Sequence, residues 1–157
     1  MINELQILIE SLEKKCAVLE TILSDSKEQE VLTKAEEFDV ERFDLLVEHK
    51  DELLKCMDDL DLGFDSLFSK VKDELLANTK SYTTEIKKMQ DLITTTVDFG
   101  AQISATEMRT KNELSNSINR QRQILSKRRV SSKSVMDYYK TSNQLNNLQP
   151  FFLDQKK

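Results

Sequence analysis

The stretch FDSLFSKVKDELLANTKSYTTEIKKMQDLITTTVDFGAQI, residues 64–103, decides the fold: its apolar residues recur at helical spacing and no proline interrupts it. Phe64, Phe68, Val71, Leu75, Asn78 and Tyr82 are separated by alternating steps of four and three. Tyr82, Ile86, Met89, Ile93, Thr96, Gly100 and Ile103 repeat the alternation. Two successive steps of four meet at Tyr82, and such a shift of one residue relaxes a supercoil without ending a helix. Carried on to about Arg129, the stretch reads as one helix of roughly 65 residues, on the order of 100 Å long. A stripe of this kind must be covered by partner helices.

Composition agrees. A chain of 157 residues with 2 glycines, 1 proline and 32% charged residues disfavours a turn-rich β or α/β fold and favours an elongated all-α one. No apolar run reaches the length of a membrane span. Met1-Ile2-Asn3-Glu4 does not open a secretory signal, so a cytoplasmic protein is expected. Cys16 and Cys56 stand in neither a redox nor a zinc spacing and are expected as reduced thiols buried by helices.

Outward from the long stretch, Ile2, Leu5, Ile9, Leu12, Cys16, Leu19 and Leu23 step by three and four without a miss. Leu8, Val18 and Ile22 widen that stripe, so this helix should face two neighbours. It is expected to run from Ile2 to about Lys34. Ala35 to Asp39 form a turn, with Asp39 capping a second helix that opens Val40-Glu41-Arg42. That helix carries Phe43, Leu46, Leu53, Cys56 and Leu60, with Val47, Leu54 and Met57 alongside, and is expected to end near Asp59. Asp61-Leu62-Gly63 then supplies a glycine able to adopt a left-handed conformation and reverse the chain. The expectation is an antiparallel three-helix coiled coil over residues 1–107, with a long third helix that overhangs the other two. Residues 108–157 form a basic helical extension and a mobile C-terminal tail. The uncovered overhang makes homodimerisation an option.

The charge divides along the same line. Residues 1–107 carry 12 Lys and Arg against 25 Asp and Glu, and residues 108–157 carry 11 against 3. The basic part invites an acidic or nucleic-acid partner, or lies over the acidic bundle. Its cations have no aromatics among them before Tyr138 and Tyr139, and no nucleic-acid-binding motif accompanies them. Val135, Met136, Tyr138, Tyr139, Leu145, Leu148, Phe151, Phe152 and Leu153 are apolar anchors on a polar string, suited to folding on a partner.

No catalytic, cofactor-binding or metal-ligating residue is expected. A di-iron bundle needs Glu-x-x-His pairs, but Leu46 stands three residues before His49, the one histidine. A phosphotransfer helix would place Lys-Gly after His49, where Glu52 and Leu53 stand. No phosphate-binding loop or paired nucleophile and base is present.

Ile103-Ser104-Ala105-Thr106-Glu107-Met108-Arg109-Thr110-Lys111-Asn112-Glu113-Leu114 resembles the Ile-x-x-x-Glu-x-Arg-Asn segment of the FlgN family of flagellar export chaperones. The acidic leucine-rich first helix, the Leu60 to Asp65 reversal, and the Tyr-Tyr and Phe-Leu-Asp of the C-terminal part are similar too. Thr110 departs from the family's asparagine. The resemblance implies a cytoplasmic type III export chaperone that binds the C-terminal helices of hook-filament junction proteins, prevents their premature assembly and delivers them to the export gate. It implies protein-binding roles for Ile103, Glu107 and Arg109, for the apolar face Leu114, Ile118 and Leu125, and for Val135, Met136, Tyr138, Tyr139, Phe151, Phe152 and Leu153. Two other readings stand beside it: a self-associating structural coiled coil, and a phosphotransfer protein using His49.

Glu107 falls on the apolar stripe. It is either a polar contact inside the coiled coil or a contact to a partner. In the first case, replacement by leucine is expected to maintain or raise stability.

Overall fold

A computed structural model describes residues 1–124. The chain forms three helices, α1 (Ile2–Lys34), α2 (Val40–Ala77) and α3 (Thr83–Ile124), with no strand among the described residues. α1 and α3 run parallel, with α2 antiparallel to both: Lys15 meets Asp61, Ser26 meets Glu107, and Glu30 meets Arg109. α1 brings Cα atoms within 8 Å of both other helices, whereas α2 and α3 do not approach each other so closely. The two faces expected of the first helix are therefore used, and α1 is the shared wall of the bundle.

The first connection is where sequence chemistry places it. The Asp39 side chain accepts a hydrogen bond from the Arg42 amide at 3.0 Å, satisfying one of the free donors at the start of α2. Arg42 also grips Glu28 of α1 through two parallel hydrogen bonds of 2.9 and 3.0 Å.

The second connection lies elsewhere than expected. α2 passes straight through Asp61-Leu62-Gly63, and no glycine of the described residues has a positive φ. The reversal is at Asn78 to Tyr82, where the Asn78 amide bonds to Glu74 and Leu75 carbonyls and its side chain donates to the Glu74 carbonyl at 2.9 Å. The physical reason is register. Phe43, Val47, Lys50, Leu54, Met57, Asp61, Phe64, Phe68, Val71 and Leu75 step by four and three without interruption, and eight of these ten are buried. Ending α2 at Asp59 would leave Phe64, Val71 and Leu75 without α1 to cover them. The slip at Tyr82 is thus a turn, and α3 has 42 residues and not about 65. With α2 extended to 38 residues, the hairpin covers most of α3, and the long overhang that motivated dimerisation is absent among the described residues.

Gly63 consequently sits in an exposed helix interior with nothing within 4 Å of where a Cβ would be. Gly63→Ala is expected to stabilise the protein by about 0.5–1 kcal/mol through backbone entropy and helix propensity. A reversal at this position would make the same change destabilising, so a thermal or urea melt decides between them.

The core has two characters. Towards the α2–α3 turn, Leu5, Leu8, Ile9 and Leu12 pack against Phe64, Val71, Leu75, Met89 and Ile93 in an apolar layer. In the middle, Leu19, Ile22 and Leu23 meet Leu54, Met57 and Ile103. Near the α1–α2 turn the apolar part shrinks to Phe38, Phe43, Val47 and Leu114, with Leu32, Val40 and Ile118 at its edge. Cys16 is half-buried, with its thiol 3.8 Å from the Leu92 carbonyl, but Cys56 is exposed on α2 and is not the core thiol expected.

Candidate functional site

Between the middle and distal apolar layers the three helices contribute polar side chains to the interior. Ser26 of α1, Lys50 of α2 and Glu107 of α3 are each at most 2% exposed. The Lys50 ammonium bonds to Glu107 Oε1, and the Ser26 hydroxyl donates to the same oxygen at 2.7 Å. Each residue occupies a heptad position facing the bundle axis, which is why an ion pair forms where an apolar layer would otherwise sit. Gln29, one turn along α1, donates to the Phe43 carbonyl at 3.3 Å. Thr33, Thr106, Thr110 and Ser117 are also buried. Thr33 and Thr106 bond back to carbonyls of their own helices, whereas Gln29 Oε1 and Thr110 Oγ1 have no hydrogen-bond partner among the described residues.

A second interior pair, Lys15 and Asp61 at 2.5 Å, joins α1 to α2 between the apolar layers. Burial pushes the Lys15 and Lys50 ammonium groups below the usual lysine range, against the opposing pull of Asp61 and Glu107. The same burial pushes the Asp61 carboxyl up, with Lys15 opposing it.

These directions give a pH prediction. For both lysines the unfolded chain holds more protons than the folded one between the depressed folded pKa and the ordinary value near 10.5. Their contribution to stability therefore rises with pH through that window and is complete above it. Asp61 acts oppositely on the acid side, gaining stability as pH falls through its raised folded pKa. Urea midpoints measured from neutral pH to about 10.5 should show the lysine-dependent rise, and it should shrink in Lys15→Met.

The structure sorts the residues singled out by sequence. Ile103, Glu107 and Leu114 are buried in the bundle. As the helices pack here, a partner reaches these three only if helices separate. Of the two readings of Glu107, the contact inside the coiled coil is the one observed. Arg109 is on the surface, its Nε 2.7 Å from Glu30 and its Nη2 3.2 Å from Thr106 Oγ1, so it clasps α3 to α1. Ile118 is half-buried at the edge of the distal layer. Leu125, Val135, Met136, Tyr138, Tyr139, Phe151, Phe152 and Leu153 lie outside the described residues. No break in α3 marks the boundary drawn between residues 107 and 108, and Thr110, Leu114 and Ser117 belong to the bundle.

His49 is half-exposed and contacts Asp25 across the α1–α2 interface. Among the described residues no group of three or more His, Cys, Asp or Glu side chains could hold a metal ion, and no helix is long and apolar enough to cross a membrane. Lys50 lies off the stripe Phe43, Leu46, Leu53, Cys56 and Leu60 expected of the second helix, and Asp61 lies in the expected reversal, so neither is legible as an interior residue from that reading. The uninterrupted step pattern through Gly63 is the signal that finds them.

Compared with known protein families, curated proteins and solved structures, the chain matches none.

Proposed function

We propose that the protein is a cytoplasmic export chaperone of the flagellar type, which holds the C-terminal helices of a hook-filament junction protein and passes them to the export gate. The observation that carries this reading is the end of α3. Ile118 packs at the edge of the distal apolar layer, and Arg120, Arg122 and Gln123 after it are exposed. A helix that leaves its bundle with a basic, solvated face is a suitable stem for a chain segment rich in apolar anchors. Leu125, Val135, Met136, Tyr138, Tyr139, Phe151, Phe152 and Leu153 would supply the client contacts, with affinity from apolar burial offset by the entropy of ordering.

The experiment is a pull-down with a junction-protein C-terminal peptide, using the full chain and a chain ending at Ile124. Binding by the full chain alone, with the helical content of the shorter chain retained, supports the role. Failure of the full chain to bind defeats it. The cut belongs after Ile124 because removal from Met108 would strip Thr110, Leu114 and Ser117 from the core. Self-association is the second reading, and a mass in solution that exceeds one chain without any client would favour it.

A further inference from the structure

We infer that residues 104–124 of α3 are an exchangeable occupant of a groove on the α1–α2 hairpin. In their place the groove accepts an amphipathic helix bearing a carboxylate on its apolar face and an aliphatic residue seven positions later. This goes beyond the export reading and does not need it. The groove is walled by Phe38, Phe43 and Val47, with Ser26, Gln29 and Lys50 beside them.

Three observations carry the inference. First, the buried face of this part of α3 is Thr106, Glu107, Thr110, Leu114 and Ser117, a single large apolar side chain among five. Detaching it bares Leu114, Ile118 and the small wall of Phe38, Phe43 and Val47, but it also returns hydroxyls, a carboxylate and the Lys50 ammonium to water, so its release costs less than that of Met89 to Ile103, which covers the two larger apolar layers. Second, Thr110 Oγ1 and Gln29 Oε1 are buried without hydrogen-bond partners, so the docked state is imperfectly satisfied. Third, α3 carries Gly100 one turn before Ile103, where a helix is cheapest to unwind, and its backbone is held close to α1 but not to α2.

Lys50 sets the selectivity. An incoming helix without an anion at the matching position would leave a buried ammonium uncompensated, which is a strong penalty, whereas a carboxylate restores the pair. The seven-residue spacing is that of Glu107 and Leu114, which place the carboxylate on Lys50 and the leucine on Phe43 and Val47 in the resident helix.

The test uses the full chain and a labelled synthetic peptide of residues 103–124. Hydrogen exchange should show amides of 106–120 opening about tenfold or more faster than those of 86–100. The peptide should bind in trans and accelerate exchange of 106–120 in the protein, and a Glu107→Ala peptide should bind about tenfold more weakly or worse. In the paired variant Lys50→Met with Glu107→Leu, the difference in exchange should narrow and the parent peptide should lose its hold. The inference is overturned by no binding of the parent peptide at about 100 µM, by equal binding of the Glu107→Ala peptide, or by binding that leaves exchange of 106–120 unchanged. An exchange difference unaltered in the paired variant also overturns it, since that is ordinary fraying of a helix end.

Discussion

Glu107→Ala should destabilise the bundle by about 3–5 kcal/mol, the penalty for leaving one member of a buried ion pair alone in the interior. Lys50 is fully buried, so while α3 stays docked its ammonium cannot turn to water once the carboxylate is gone. The Ser26 hydroxyl, which donates to the same oxygen, loses its acceptor as well. Glu107→Leu alone should also lower stability, contrary to the expectation from the stripe, because leucine fills the layer but still strands the charge on α2. Removing both charges is different: Lys50→Met with Glu107→Leu should be neutral or stabilising by about 1–4 kcal/mol, since the desolvation cost of both ions disappears. The measurement is a urea-unfolding double-mutant cycle over the two positions. A loss below about 1 kcal/mol for Glu107→Ala would mean the pair is solvated in a way the packing does not show.

That contrast also explains what could be read from the chain and what could not. The bounds of α1, the Asp39 cap and the start of α2 follow from local chemistry, namely apolar spacing and one short acceptor side chain, and the structure has them where expected. The turn after α2 did not follow, because Gly63 is the stronger local signal and Asn78-Thr79-Lys80-Ser81 the weaker, although all four are compatible with a turn. What overrides Gly63 is nonlocal: Phe64, Val71 and Leu75 are buried only if α2 continues along α1. The polar interior is concealed by a different choice, that of the stripe on α2. Lys50 falls on the seam only when α2 is read as Phe43, Val47, Lys50, Leu54, Met57, and a charged residue there is implausible until its partner on α3 is known. Glu107 was visible as an interruption of the α3 stripe, but the interruption on a second helix that matches it is a property of the pairing, not of either helix.

Phe43→Ala should be the most damaging single apolar truncation near the α1–α2 turn, costing about 3–5 kcal/mol. Phe43 is the largest fully buried side chain in the described bundle, and its ring meets Phe38 edge-on at a centroid distance of 5.3 Å. Val47 and Leu114 complete that layer, which is small, with only the partly buried Leu32, Val40 and Ile118 among the described residues packed against it to move into the space. The apolar layer around Leu5, Phe64 and Met89 shares none of these residues. The loss should therefore be uneven: amides of 106–120 should lose protection in the variant at urea concentrations where those of 86–97 are still slow to exchange. Phe43→Leu keeps most of the volume and should cost about 1–1.5 kcal/mol with the same direction of unevenness. Equal loss of protection at both ends would show that the two layers unfold as one cooperative unit, and that the polar interior between them does not separate them.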